Sequence, residues 1–246
     1  MRNFKMLLAY DGTRYRGWQR LGNSPDTIQG KLEQTLSRIM EQPIAIHGSG
    51  RTDAGAHAAG QVASFHADTT RSCRELAALL RQYLPEDLGV LEITEVPPRF
   101  HARLTATGKT YVYRVWNSRV PNVFERRYVY QLGETLDVAA MKQAAADFLG
   151  THDFIAFCSN KQFKKSSVRT ITALTIETLG PEVRFTVTGD GFLYNMVRIM
   201  VGTLLEIGLH RRPVDDIPAI LASRSRERAG KTAPARGLCL KEVYYP

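Results

Sequence analysis

The apolar pattern of this chain predicts an α+β fold in which the order strand, helix, strand, strand, helix, strand is read twice. Three observations carry that reading. "FKMLLAY" near the start and "KTYVYRVWN" from Lys109 both have the apolar runs or period-two alternation of strands, and each opens a similar succession of elements. "DTIQGKLEQTLSRIM" places Ile28, Leu32, Leu36 and Ile39 on one helical stripe. With 246 residues and 43% apolar side chains, the chain has enough material for one large core or two modest ones.

The elements follow in order. After the strand "FKMLLAY", Asp26 and Gln29 have capping-box spacing at the start of the first helix. "PIAIHG" and "QVASFHAD" read as strands on either side of a glycine-rich loop. A helix over "CRELAALLRQYL" is stopped by Pro85, and "GVLEITEV" closes the first set as a strand. In the second set, Tyr111, Tyr113 and Val115 share one face of "KTYVYRVWN", and a helix over "DVAAMKQAAADFL" ends at Gly150. "SVRTITALTIETL" and "EVRFTVTG" form a hairpin through Gly180 and Pro181. The long apolar helix "GFLYNMVRIMVGTLLEIG", a shorter helix "VDDIPAILAS" and a last strand "GLCLKEVYY" complete the chain. The repetition suggests two ferredoxin-like (βαββαβ) halves, 1–105 and 106–246, with the duplication visible in topology and not in residue identity.

Lys and Arg number 33 against 24 for Asp and Glu, a formal net charge of +9. That balance suits a polyanionic partner, although charge can equally serve solubility. Two segments mix cations with an aromatic: "TRYRGWQR", which holds Arg14, Arg16 and Arg20, and "NKQFKKSSVR", which holds Lys161, Lys164 and Lys165. The mixture fits phosphate contacts with base stacking, and it also fits a solvated basic loop. Cys73, Cys158 and Cys239 are odd in number and widely spaced, as in a reducing compartment. The six histidines have no metal-ligand spacing, so no metal is expected. No apolar window reaches membrane length, and a cytoplasmic protein is expected.

The segment "HGSGRTDAGAHAAG" holds Gly48, Gly50, Gly55 and Gly60 around Arg51 and Asp53. No Gly-Lys-Ser/Thr follows it, and Asp53 stands where a GxGxxG pattern needs its third glycine, which argues against phosphate cradling. Glycines alone would make this a tight turn. The second unusual charge is Arg198, set among Val197, Ile199, Met200 and Val201 on an apolar helix. Such an arginine either extends its head to solvent or meets a carboxylate. In a cleft between the halves Arg198 would keep Asp53 ionised and aimed, and Tyr111 on the opening strand of the second half would border the same cleft, although a tyrosine in "TYVYRV" more often packs in the core. Asp11 in "YDGT" reads as a turn residue.

Taken in order, "YDGTRYRGWQ", "TIQGKLE", "GSGRTDAGAHA", "FHARLTATGKTYVYRV", "GTHDFIAF", "SVRTI", "GFLYNMVRIMVGTLLEIG" and "APARGLCLKEV" resemble the bacterial tRNA pseudouridine synthase A family over essentially the whole chain. Ala56 departs from the valine of many relatives, and "RLGNSPD" is an individual version of its segment. The resemblance implies isomerisation of uridine to pseudouridine at nucleotides 38, 39 and 40 of the tRNA anticodon stem-loop, with no cofactor and no metal. It implies Asp53 as the essential nucleophile, Tyr111 as the active-site tyrosine, Arg198 as the ion-pair partner of Asp53, and Arg51 as an aid in extruding the base. It also implies a continuous, mainly antiparallel sheet with a basic cleft, and a homodimer that shares one tRNA. Arg14, Arg16, Arg20, Lys161, Lys164 and Lys165 are the candidate tRNA contacts. Asp53 would attack the sugar C1′ or the base C6, or assist departure of the base through a glycal-like species. Two other classes fit parts of the chain: an RNA-binding module without catalysis, and a hydrolase pairing Asp53 with Asp153 or Glu134.

Overall fold

The computed structural model describes residues 1–22, 24–160, 162 and 165–246. Lys161 and Lys164 therefore lie outside the described residues. The fold is α+β, and the chain forms two compact units, Met1–Thr107 with Cys239–Pro246, and Gly108–Leu238.

The first unit contains β1 (Arg2–Tyr10), α1 (Ile28–Met40), β2 (Ile46–Gly48), β3 (His57–Ala67), α2 (Cys73–Tyr83) and β4 (Leu88–Glu95). β1 lies between β3 and β4 and is antiparallel to both. The outer edge of β3 is divided. β2 runs antiparallel along Ala63–Phe65, and the chain's last strand, Leu238–Tyr244, runs parallel at His57 and Ala58. A Cβ on Gly60 would stand 2.3 Å from the Lys241 carbonyl oxygen, so the last strand can approach there only because the side chain is missing. Phe4, Met6, Leu8 and Phe65 of the sheet and Leu32, Leu36, Leu76 and Leu80 of the helices are fully buried and form the core of this unit. Each such side chain contributes about 1.5–3 kcal/mol through removal from water.

The cap of α1 differs from the sequence expectation. Thr27, not Asp26, is the N-cap and accepts from Gly30 N, because the Thr27 backbone is extended and its hydroxyl faces the first turn. Gln29 is thereby released from capping, and its amide braces the sheet instead. The apolar stripe holds for Ile28, Leu32 and Leu36, whereas Ile39 is only half-buried. α2 carries a capping box between Ser72 and Glu75, and its hydrogen bonds from Ser72 hold the Glu75 carboxyl below its usual range.

The second unit contains β5 (Gly108–Asn117), β6 (Tyr130–Leu132), α3 (Val138–Ala145), β7 (Gly150–Asp153), β8 (Val168–Leu179), β9 (Glu182–Gly189), α4 (Met196–Gly208) and α5 (Asp216–Ser223). β5, β9, β8 and β7 follow one another antiparallel, and short β6 pairs parallel with Val115–Asn117 of β5. Two features depart from the expected pattern. The short strands β6 and β7 were not expected, and α4 begins at Met196 instead of Gly191 because Asn195, with φ 62, holds a left-handed backbone just before it. The predicted stop at Gly150 is observed, since a 3-10 turn, Ala146–Phe148, ends α3 and Gly150 has φ 94.

Glu182 on β9 is the buried charge of this unit. Arg114 Nη2 donates to it at 2.6 Å and Arg184 Nε at 2.8 Å, while Arg114 also reaches Glu125 at 2.7 Å. Burial pushes the Glu182 carboxyl up, but the two guanidiniums outweigh it and leave the group below its ordinary value of 4.5. The depressed group stabilises the fold fully above the unfolded value, and that contribution is lost as pH falls through the folded one. Glu182→Gln is expected to cost roughly 1.5–3 kcal/mol at neutral pH. Denaturant titrations at stepped pH should show the gap from wild type narrowing below about pH 4.5; a gap independent of pH would show that the pair does not set the acid limb.

Candidate active site

Asp53 lies in the loop between β2 and β3, half-buried, with Arg51 exposed on one side and Thr52 buried between them. The loop is tight at its centre, where Ala56 N donates to the Asp53 carbonyl at 3.1 Å and Gly55 has φ 77. Glycine at position 55 answers that backbone requirement.

Both flanks of the turn are fixed by the segment after β1. Trp18 N donates to Thr52 O at 3.0 Å, and Gly55 N donates to Tyr15 O at 3.3 Å. The two pieces of chain touch closely enough that a Cβ on Gly12 would sit 1.9 Å from Ala56 O, and one on Gly17 would sit 2.8 Å from Thr52 O. Gly17 also has φ 92, so both space and backbone angle demand glycine there. The Trp18 ring covers Gly48, where a Cβ would meet it at 2.5 Å. Gly12 N donates to His57 Nδ1 at 3.1 Å, which fixes the first residue of β3. Asp11 accepts from Thr13 N, in keeping with a turn role.

Beneath the loop is a buried polar chain. Gln61 on β3 is fully buried; its Oε1 accepts from the Ser49 hydroxyl at 2.7 Å, and its Nε2 donates to Gly50 O at 3.1 Å and to Tyr10 Oη at 3.4 Å. Tyr10 Oη in turn lies 2.8 Å from Thr52 Oγ1. Burial drives the Tyr10 phenol well above its usual range, so it is neutral across the physiological range. The residues on both sides of Arg51 are thus tied to one glutamine. Farther out, Gln29 Oε1 accepts from Arg20 N at 3.0 Å, and Glu33 Oε1 accepts from Ile46 N at 3.0 Å, which joins α1 to the start of β2.

In the second unit, Arg198 occupies the first turn of α4 and is half-buried. A cation there opposes the helix dipole, so its position needs other support. Arg198 Nη1 donates to Asn195 Oδ1 at 2.9 Å and Nε donates to Ala233 O at 2.7 Å, while Ala233 N donates back to Arg198 O at 3.1 Å. Tyr111 on β5 is buried and meets the Phe192 ring edge-on, with centroids 5.1 Å apart. The short segment from Phe192 to Asn195 therefore orients both Tyr111 and Arg198. Tyr113, on the same face of β5 as Tyr111, is fully buried with its hydroxyl donating to Pro234 O at 2.7 Å, a core role.

The expected basic contacts differ in their surroundings. Arg14 is bound to Asp87, with Nε at 2.7 Å and Nη2 at 2.6 Å. Arg20 Nη1 lies 3.0 Å from Glu33 Oε2, an ion-pair distance outside hydrogen-bond geometry. Arg16, Arg51 and Lys165 are exposed. Asp153 accepts from the Ser167 hydroxyl at 2.5 Å and pairs with Arg224, and Glu134 pairs with Arg211. Among the described residues, no group of three or more His, Cys, Asp or Glu could hold a metal ion.

The profile of the tRNA pseudouridine synthase family matches residues 6–104 and 144–246. The chain is 46% identical to the tRNA pseudouridine synthases A of Bacillus sp. (strain KSM-64) and of Acetivibrio thermocellus, in each case over all of both chains. It belongs to the tRNA pseudouridine synthase A family. The enzyme of that name from Moorella thermoacetica is 48% identical over 98% of both chains. Family membership thus extends over the Asp53 loop, α4 and the last strand alike.

Tyr10, Ser49, Thr52 and Gln61 were not singled out by sequence reasoning, although a glutamine within the apolar strand "AAGQVASF" was a readable signal. Replacing Gln61 with leucine removes one hydrogen bond each from Ser49, Gly50 and Tyr10. The expected loss is about 2–4 kcal/mol in chemical denaturation. Gly12→Ala should also destabilise, by roughly 1–3 kcal/mol, through overpacking; a neutral alanine would show that the two segments separate readily.

Proposed function

We propose that this protein is a tRNA pseudouridine synthase of the A type, an isomerase that converts uridine to pseudouridine at positions 38, 39 and 40 of the anticodon stem-loop. It acts without a cofactor, as a cytoplasmic homodimer of two ferredoxin-like halves whose continuous sheet carries a basic cleft. Supporting this are the full-length relatives and, most directly, the Asp53 loop. Backbone hydrogen bonds and close glycine contacts fix that loop on both sides and leave the carboxylate-bearing residue half-exposed.

Isomerisation breaks the C1′–N1 bond, turns the uracil and forms a C1′–C5 bond, with the proton at C5 passing to solvent and one returned to N1. The base must leave the stack first, and Arg51 aids that extrusion. Asp53 supplies the nucleophilic carboxylate. Arg198 is its counter-ion, and a fork already tied at Nε and Nη1 loses little freedom in that role. Tyr111 stacks on the base, its ring orientation set by Phe192. Of the basic candidates, Arg14, Arg16, Arg20 and Lys165 are exposed, Arg14 and Arg20 being ion-paired, and phosphate binding by such residues makes affinity salt-dependent. Lys161 and Lys164 are proposed in the same role.

Release of tritium from uridine labelled at C5 of an unmodified tRNA transcript, with no free uracil, is the expected result. Free uracil would indicate a hydrolase, and binding without release a non-catalytic RNA module. Asp53→Asn should bind tRNA and yield no product. Arg198→Lys keeps the charge but not the fork and should lower kcat roughly tenfold or more, equivalent to about 1.4 kcal/mol. Wild-type turnover in Asp53→Asn would overturn the assignment.

A further inference from the structure

The first unit carries a second feature whose residues are absent from the Asp53 loop. A groove of about 840 Å³ lies along α1 and α2. Lys31 and Arg38 enter it from α1 and Arg71 from the turn before α2, while Ile39, Leu79 and Tyr83 supply apolar and aromatic wall. Tyr83 is 56% exposed, unusual for a ring that serves no core.

The charges in the groove are poorly compensated. Arg14 also lines it, but its guanidinium is bound to Asp87. Asp26 is the single acid in the lining. Among the described residues, no salt bridge engages Lys31, Arg38 or Arg71; Arg71 only helps to hold the Glu75 carboxyl down. Concave walls focus the potential of unpaired cations and favour an anion. Lys31 and Arg38 are seven residues apart, about 10 Å along a helix, which suits a ligand with successive charges better than one small ion. An exposed ring beside those cations gives a base a face to stack on.

We infer that this groove binds a single-stranded RNA segment, with phosphates on Lys31, Arg38 and Arg71 and a base on Tyr83. The inference rests on the reading that the chain handles RNA, and it adds a contact surface separate from the catalytic loop.

The test uses the full-length protein and a fluorescein-labelled adenosine hexanucleotide, which has no uridine and so cannot report isomerisation. For the variant combining Lys31→Gln, Arg38→Gln and Arg71→Gln, affinity at low salt should fall at least tenfold. The slope of log K against log salt should flatten by about 2, from roughly 0.7 per phosphate contact. Tyr83→Ala should weaken binding roughly fivefold or more with the slope unchanged. Both variants should keep the wild-type melting temperature, and at saturating tRNA they should keep kcat while KM rises.

Unchanged affinity and slope in the triple variant would overturn the inference. So would displacement of the hexanucleotide by inorganic phosphate at equal phosphate concentration, which marks a simple anion site. A lost kcat with intact hexanucleotide binding would also count against it. Failure of the wild-type protein to release tritium would strike the functional reading and leave the hexanucleotide result standing.

Discussion

Gln61, fully buried on β3, hydrogen-bonds Ser49, Gly50 and Tyr10 beneath the Asp53 loop. The loop around Asp53 must leave the sheet between two paired strands, and at its start Ser49 is fully buried while Gly50 stays part-buried. A hydroxyl or carbonyl that loses its partner on being drawn inward costs on the order of 1–3 kcal/mol, so this path is stabilised when one side chain reaches both. Gln61 does, because an amide offers an acceptor and two donors on one planar head. Through Tyr10 the same glutamine reaches Thr52. The residue before Asp53 is thus tied, through Tyr10 of β1, to a glutamine on β3, the strand that the loop enters.

The brace from outside has a different physical basis. Trp18, Tyr15 and Gly12 hold the loop by backbone contact, and glycine is used where two main chains come within van der Waals distance. The second unit repeats that device. A Cβ on Gly202 of α4 would lie 1.7 Å from Lys231 O, so the segment before the last strand can run flat along the helix. There Gly230 N donates to Thr203 Oγ1, Lys231 N to Glu206 Oε1, and Ala233 exchanges hydrogen bonds with Arg198. Arg198 stays in an electrostatically unfavourable first turn because that segment and left-handed Asn195 hold its fork.

Most of the regular elements were legible because their signals are local. Alternation in "KTYVYRVWN" and the stripe of "DTIQGKLEQTLSRIM" persist whatever surrounds them. β6 and β7 were missed since a strand of three or four residues has too few positions to show a period. The cap of α1 was misplaced by one residue because Asp26 and Thr27 both have capping chemistry, and only the backbone angle at Thr27 decides between them. Asp11 was legible as a turn residue, but the purpose of its neighbours Gly12 and Gly17 was not.

Residue types and spacing were enough to mark Asp53 and Arg198 as unusual, since a carboxylate among glycines and a cation within an apolar helix violate ordinary patterning, whereas Tyr111 stood out only through the family resemblance and its expected place beside a cleft. They were also enough to carry the family resemblance and the basic character of the chain. Tertiary structure alone decided which groups hold those residues: Tyr15 and Trp18 against the loop, Gln61 beneath it, Ala233 and Asn195 on the guanidinium. It also separated Arg14, bound to Asp87, from likewise exposed Arg16, which forms no salt bridge among the described residues, in one short basic segment. Periodicity records which face of an element avoids water, but a hydrogen bond between residues distant in sequence leaves no period, and its partners emerge only when the chain has folded.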